Sequence, residues 1–171
     1  MRLPRYKKRA QRASGYPVIL FTIGDNMFAI GAANVNEIQS LQGLKPIGGH
    51  PRQFGKVRHT VTREGHRYWV VDGNVHFGMM PTHSTRVLLL GSSPVALKVD
   101  AIVRMTEIAR VLPLPRAFQG EERNWYIGLA IVDDSLVPVV NPESFLSHYD
   151  MSALEQSFPV SVPEEVARVT A

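Results

Sequence analysis

The stretch Tyr126–Asn141, YIGLAIVDDSLVPVVN, limits the possible folds more than any other part of the chain. Two apolar runs flank the polar turn Asp133-Asp134-Ser135. Ile127, Leu129 and Ile131 alternate with Gly128, Ala130 and Val132, so one face is bulky and the other mostly small. The return run of Leu136, Val137, Val139 and Val140 is again apolar and rich in β-branched side chains. Runs of roughly 4–8 such residues between turn formers read as the strands of a hairpin. Almost nothing outside the turn is charged, which predicts cover on both faces. The cover must come from the preceding chain.

At 171 residues, one compact domain is the default, burying roughly 70% of the unfolded surface. The absence of cysteine excludes disulfides, thiolate metal sites and Cys nucleophiles, and fits a reducing compartment. The net charge of +4 is unevenly spread. Arg2, Arg5, Lys7, Lys8, Arg9 and Arg12 precede Tyr16 with no acid among them, and without these six the remainder carries about −2. The body is therefore not a phosphate-seeking surface, and residues 1–16 read as a basic, flexible arm. The arm followed by Val18-Ile19-Leu20-Phe21 has some likeness to a secretory leader, but Gly24-Asp25-Asn26 cuts the apolar run short. No apolar run is long enough for a membrane-spanning helix, so no membrane insertion is expected.

Pro17–Ile23 and Met27–Ile30 read as a first hairpin around Gly24-Asp25-Asn26. Val35, Ile38 and Leu41 recur every third residue, which predicts a short helix over residues 33–41 with one buried stripe. Phe54–Thr62 and Arg67–Val71 form a second strand pair around Arg63-Glu64-Gly65-His66, and Val75–Gly78 a brief turn or helix. Pro81–Ser84 is the candidate linker between halves. Thr85–Gly91, Val95–Val99 and Ile102–Leu114 supply further strands, and Pro142–His148 a short closing helix. Residues 149–171, with Pro159, Pro163 and several glutamates, read as a weakly ordered tail. Many short strands and a midpoint break predict a mainly β protein of two five-stranded barrels sharing one core.

The order of elements resembles the CheW family of chemotaxis coupling proteins from about Val18 to Leu146. Phe21–Asp25 with Phe28-Ala29-Ile30 is similar to the family's opening hairpin, and Val35-Asn36-Glu37-Ile38 to its Val-x-Glu-Ile segment. Val70-Val71-Asp72 with Phe77-Gly78 resembles the end of its first barrel, and Val95–Ile102 the Val-Val-Asp-x-Val segment of its second. Tyr126–Asn141 resembles its closing hairpin. Two departures stand out. Residues 55–72 read GKVRHTVTREGHRYWVVD, without the usual Asn-Leu-Arg-Gly, so that motif's arginine has no counterpart in register, Arg58 and Arg63 each lying a few places off. The closing Asp-Leu is replaced by Asn141-Pro142.

The resemblance implies two SH3-like five-stranded β-barrels in one domain over residues 17–148, with halves near 17–80 and 85–148. It also implies a cytoplasmic, non-catalytic adaptor without cofactor. Such an adaptor bridges a methyl-accepting chemoreceptor and a CheA-type histidine kinase, in chemotaxis or in the control of twitching by type IV pili. Receptor binding is expected in the groove between barrels and kinase binding on the first. The candidate protein-binding residues are Val35, Glu37, Ile38 and Val57 near the first barrel, and Val99 and Ile102 near the groove. Each apolar one has ordinary core packing as its competing explanation.

Enzymatic signatures are weak. None of His50, His59, His66, His76, His83 and His148 forms a His-x-x-x-His pair, and Asp133-Asp134 suits a turn better than a metal. Gly48-Gly49 lacks the following Gly-Lys-Ser/Thr, and Ser92-Ser93 the following glycine of a nucleophile elbow. The alternative is a small-barrel nucleic-acid binder using the basic arm with Arg67-Tyr68-Trp69 and Arg123-Asn124-Trp125-Tyr126. The near-neutral body makes nucleic acid the less favoured partner, and steep salt dependence would distinguish it.

Overall fold

A computed structural model describes residues 15–48 and 54–160. The arm's cationic positions and the end of the tail lie outside the described residues. Among the described residues, eleven strands form two sheets. They are β1 (Tyr16–Ile23), β2 (Asn26–Gly31), β3 (Val35–Ser40), β4 (Lys45–Pro46), β5 (Val57–Arg63) and β6 (His66–Asp72). After them come β7 (Arg86–Leu90), β8 (Val95–Val99), β9 (Ala101–Ile108), β10 (Tyr126–Val132) and β11 (Ser135–Val140). Three short helices are interspersed: α1 (Gly73–His76), α2 (Glu122–Trp125) and α3 (His148–Ser157).

The first sheet has the order β10-β11-β2-β1-β9 and the second β3-β7-β8-β6-β5-β4. The protein is mainly β, as expected, but the strands do not divide at residues 81–84. β1 and β2 pair with β9 and β11, whereas β3 leaves that hairpin to pair with β7. The sheets therefore interleave the two halves of the sequence, and the split into 17–80 and 85–148 is corrected accordingly. The supposed linker is held in place: Thr82 and Ser84 hydroxyls donate to Asp100, and the Asn74 amide donates to Thr82 and the Met80 carbonyl.

Neither sheet closes into a barrel by strand pairing alone. The first nearly does so where the chain leaving β9 crosses β10. There Leu112 and Leu129 exchange two backbone hydrogen bonds, of 2.7 and 2.9 Å. That crossing depends on Gly128, because a Cβ there would lie 2.2 Å from the Leu112 carbonyl oxygen. In the second sheet, the end strands β3 and β4 are joined by a short 3₁₀ turn at Leu41–Gly43. The sixth, two-residue strand β4 is the addition to the expected five.

The burial pattern explains why some strands read as unbroken apolar runs. On β1, Val18 and Leu20 face the interior of the first sheet, with Ala130, Val132 and Val137. Ile19, Phe21 and Ile23 face the core that the two sheets share. On β7, Val87 and Leu89 point inside the second sheet while Leu88 and Leu90 enter the shared core. A strand covered on both faces has no polar face to alternate with, so period-two patterning disappears. Each large side chain buried this way is worth roughly 1.5–3 kcal/mol.

Three local expectations are corrected. Residues 35–40 form strand β3 rather than a helix, because backbone pairing with β7 satisfies one edge and outweighs a three-residue spacing that only mimics helical period. The hairpin β10–β11 is open to solvent on one face, with Ile131 60% and Leu136 63% exposed. The region after Tyr149 contributes helix α3, not only tail. Its capping box joins Ser147 and Asp150, and Leu154 is fully buried in the shared core. Phe158 then packs against Phe54 and Trp69.

Candidate functional site

The sequence-derived candidates separate into surface and interior. Val57 and Val99 are enclosed in the shared core, so neither offers a surface to a partner. Their core packing is the better account of their apolar character. Val35, Glu37 and Ile38 lie together on β3, the end strand of the second sheet, and Ile102 lies apart on β9 of the first.

On β3 the side chains alternate between half-buried and exposed. Val35 packs against the rim of the shared core. Ile38, opposite Leu88, is 39% exposed. Glu37 accepts a hydrogen bond from Arg63 Nε at 2.8 Å and another from the Gln39 amide at 3.1 Å. The Arg63 bond, then the Gln39 bond, hold the Glu37 carboxyl below its usual range. Arg63 sits at the β5–β6 turn, whose Glu64 and Gly65 both have positive φ. The pair thus links β3, one end strand of the second sheet, to β5, which lies next to the other end.

Ile102 is half-buried opposite Phe21, against the shared core. Beyond it on β9, Val103 is exposed and Met105 is 64% exposed. A strand bulge between Leu20 and Phe21 interrupts the pairing of β1 with β9 there. The sequence singles out Ile102 as a protein-binding candidate but not Val103 or Met105, since an apolar strand residue carries no mark of which sheet edge it will occupy.

A second concavity lies at the far end of β1. It is a cleft of about 600 Å³ between the start of β2, the β10–β11 turn and the loop before β10. Its wall is aromatic: Phe28 stacks on Phe77 with centroids 4.7 Å apart, and Phe77 on Tyr126 at 5.9 Å. Phe118 meets Tyr126 edge-on at 5.8 Å. Asp25, Glu122 and Asp133 lie at its sides, and among the described residues its lining contains no lysine, arginine or histidine. Burial, then the charge of Glu122, push the Tyr126 phenol up to about 12. Arg104 of β9 pairs with Asp133 in the turn, where Asp133 and Asp134 both adopt positive φ.

His76 is the most perturbed group. It is buried, with Lys56 Nζ 3.3 Å from Nδ1 and Ser144 Oγ 3.5 Å from Nε2. Burial, then the Lys56 charge, lower its pKa to about 3. The trio superficially resembles a nucleophile and base, but Ser144 donates to the Asn141 carbonyl at 2.7 Å. The imidazole is walled in by Phe77, Trp125 and Phe145. Among the described residues no group of three or more His, Asp or Glu is placed to hold a metal ion. Nor is any helix there long and apolar enough to cross a membrane. Trp69, offered above as a base-stacking ring, is buried and already covered by Arg67, whose guanidinium lies 4.2 Å from its ring centre.

Comparison with known proteins agrees with this architecture. The model of the CheW-like domain matches residues 17–150, more than half of the chain. This chain belongs to the CheW-like domain family. Among solved structures, the scaffolding protein TtCheW from Thermoanaerobacter tengcongensis superposes with a TM-score of 0.67 at 17% sequence identity. The match covers 78% of this chain and 94% of that one. At that identity the likeness is one of fold. The CheW-like arrangement persists here although the loop motif and the closing Asp-Leu have changed.

Proposed function

We propose that this CheW-like chain is a non-catalytic chemosensory adaptor, joining a methyl-accepting chemoreceptor to a CheA-type histidine kinase in the cytoplasm. The output is chemotaxis or twitching motility. The observation that carries the reading is the β3 rim, where Ile38 stands exposed beside an ordered Glu37–Arg63 pair on an end strand. An apolar residue next to a fixed charge pair on a strand edge suits a modest protein interface, of roughly 1,000–1,600 Å². Val35 supports Ile38 from below, and Glu37 orients the arginine that a partner would meet. Ile102, with Val103 and Met105, forms the corresponding apolar strip on β9 for the second partner. Val57 and Val99 support these strips from inside the core.

The test is titration of the purified chain against the regulatory domain of a CheA-type kinase and against a receptor cytoplasmic tip from the same cells, by calorimetry. Ile38→Arg is expected to weaken kinase binding roughly 10-fold or more, about 1.4 kcal/mol, with unchanged thermal stability. Met105→Arg is expected to weaken receptor binding and leave kinase binding intact. Wild-type chain that binds neither partner defeats the proposal.

A further inference from the structure

Two features are not used by an adaptor's docking strips: the cationic segment before Gly15 and the acidic, aromatic cleft. Their chemistries are complementary. Stacked rings present a negative face to a cation, and a guanidinium within about 6 Å of such a ring is attracted, most strongly where water is excluded. The cleft offers Phe118 and Tyr126 at right angles, with Trp125 beside them. Glu122 and Asp25 supply formal negative charge, and among the described residues no lysine or arginine pairs with either. Met27, partly exposed, adds a polarisable thioether to the wall.

We propose that the cleft binds an arginine or lysine side chain from residues 1–14 of the same chain. The cation would lie against Tyr126 and Phe118, with its charge facing Glu122 and Asp25. Charge complementarity selects this occupant, because residues 1–14 hold six cations and no acid. Length permits it. The cleft begins at Asp25, just past the end of β1, and eight-residue β1 spans about 26 Å. Fourteen residues ahead of Gly15 reach up to about 46 Å, enough to fold back along the strand. Glu122, whose charge also bears on Tyr126, is the residue on which selectivity for a cation depends. The site goes beyond the adaptor reading and does not require it, since no receptor or kinase enters the argument.

The experiment is limited trypsin digestion of the full chain at low protein concentration, following cleavage within residues 1–14 by mass spectrometry. The double variant Asp25→Asn, Glu122→Gln is expected to be cut there roughly 2- to 30-fold faster than wild type, through loss of the two charge pairs to the bound cation. The matched double variant Glu143→Gln, Glu155→Gln removes two exposed charges elsewhere and is expected to behave as wild type. In a second measurement, replacing the six cations by glutamine is expected to shift the Trp125 indole NMR signal and leave that of buried Trp69 unmoved. Equal cleavage rates in wild type and cleft variant overturn the proposal. So does an equal acceleration by the control variant, which would mean net charge alone. Protection that disappears on dilution also overturns it, because the segment would then be reaching a neighbouring copy.

Discussion

Strands β8 and β10 look alike in sequence and behave differently in the fold. Val95-Ala96-Leu97-Lys98-Val99 is covered on both faces, with even Lys98 drawn into an ion pair with Asp72 at 3.2 Å. Tyr126–Val132 is equally apolar, yet it leaves Ile127 and Ile131 at the surface. Hydrophobicity does not separate them; place in the sheet does. β8 lies between β7 and β6, with the shared core on one side and a sheet interior on the other, whereas β10 ends its sheet.

The comparison can be broken by substitution. Leu97→Ala on β8 removes a fully buried side chain from the shared core, and a loss of about 2–5 kcal/mol is expected in urea unfolding. A loss below ~1 kcal/mol would mean that β8 is not doubly covered.

Next in size is a pH effect from the region where the two sheets meet. The folded protein keeps His76 neutral down to about 3, while the unfolded chain protonates it near the ordinary value of 6.5. Between those values the unfolded state binds the extra proton, so stability is fully present above 6.5 and falls with decreasing pH. The slope approaches about 1.4 kcal/mol per pH unit. Comparing unfolding at pH 7.5 and 5 should show the loss, and His76→Gln should remove most of the difference.

A smaller effect is expected at the cap of α3. Ser147→Ala leaves the Asp150 amide without its side-chain acceptor and should cost about 1 kcal/mol, read from the thermal transition. The smallest change belongs to β10 itself. Ile131→Ser should alter stability by less than ~0.5 kcal/mol, as for a surface position, and a larger loss would place Ile131 in a core.

Much of the strand order was legible because turn chemistry marks the ends of each run. Asp133-Asp134 and Glu64-Gly65 are two-residue turns with positive φ where the polar clusters foretold turns. The partnering of strands was not legible. Nothing in Val35–Ser40 indicates that it will leave the first hairpin for β7, because the choice depends on a remote strand rather than on local spacing. The helix expected there fails for the same reason. α3 did carry a local signal, Ser147 three residues before Asp150, but the prolines and acids around it masked the cap. At the candidate site, Ile38 was separable from Val57 only by geometry: both are β-sheet aliphatics, but Ile38 lies exposed on an end strand and Val57 is buried in the shared core.

The interleaving of the halves has a consequence for how the chain is made. Ala29 of β2 lies beside Val139 of β11, and Tyr16 of β1 opposite Ile108 of β9. During synthesis the β1–β2 hairpin leaves the ribosome long before the strands that flank it exist. Until they arrive, Ile19, Phe21, Phe28 and Ile30 pair only with one another across the hairpin, and contacts with strands so distant in sequence form slowly. That waiting hairpin is the segment most open to wrong pairing with another nascent chain, and so the natural point for a chaperone to act.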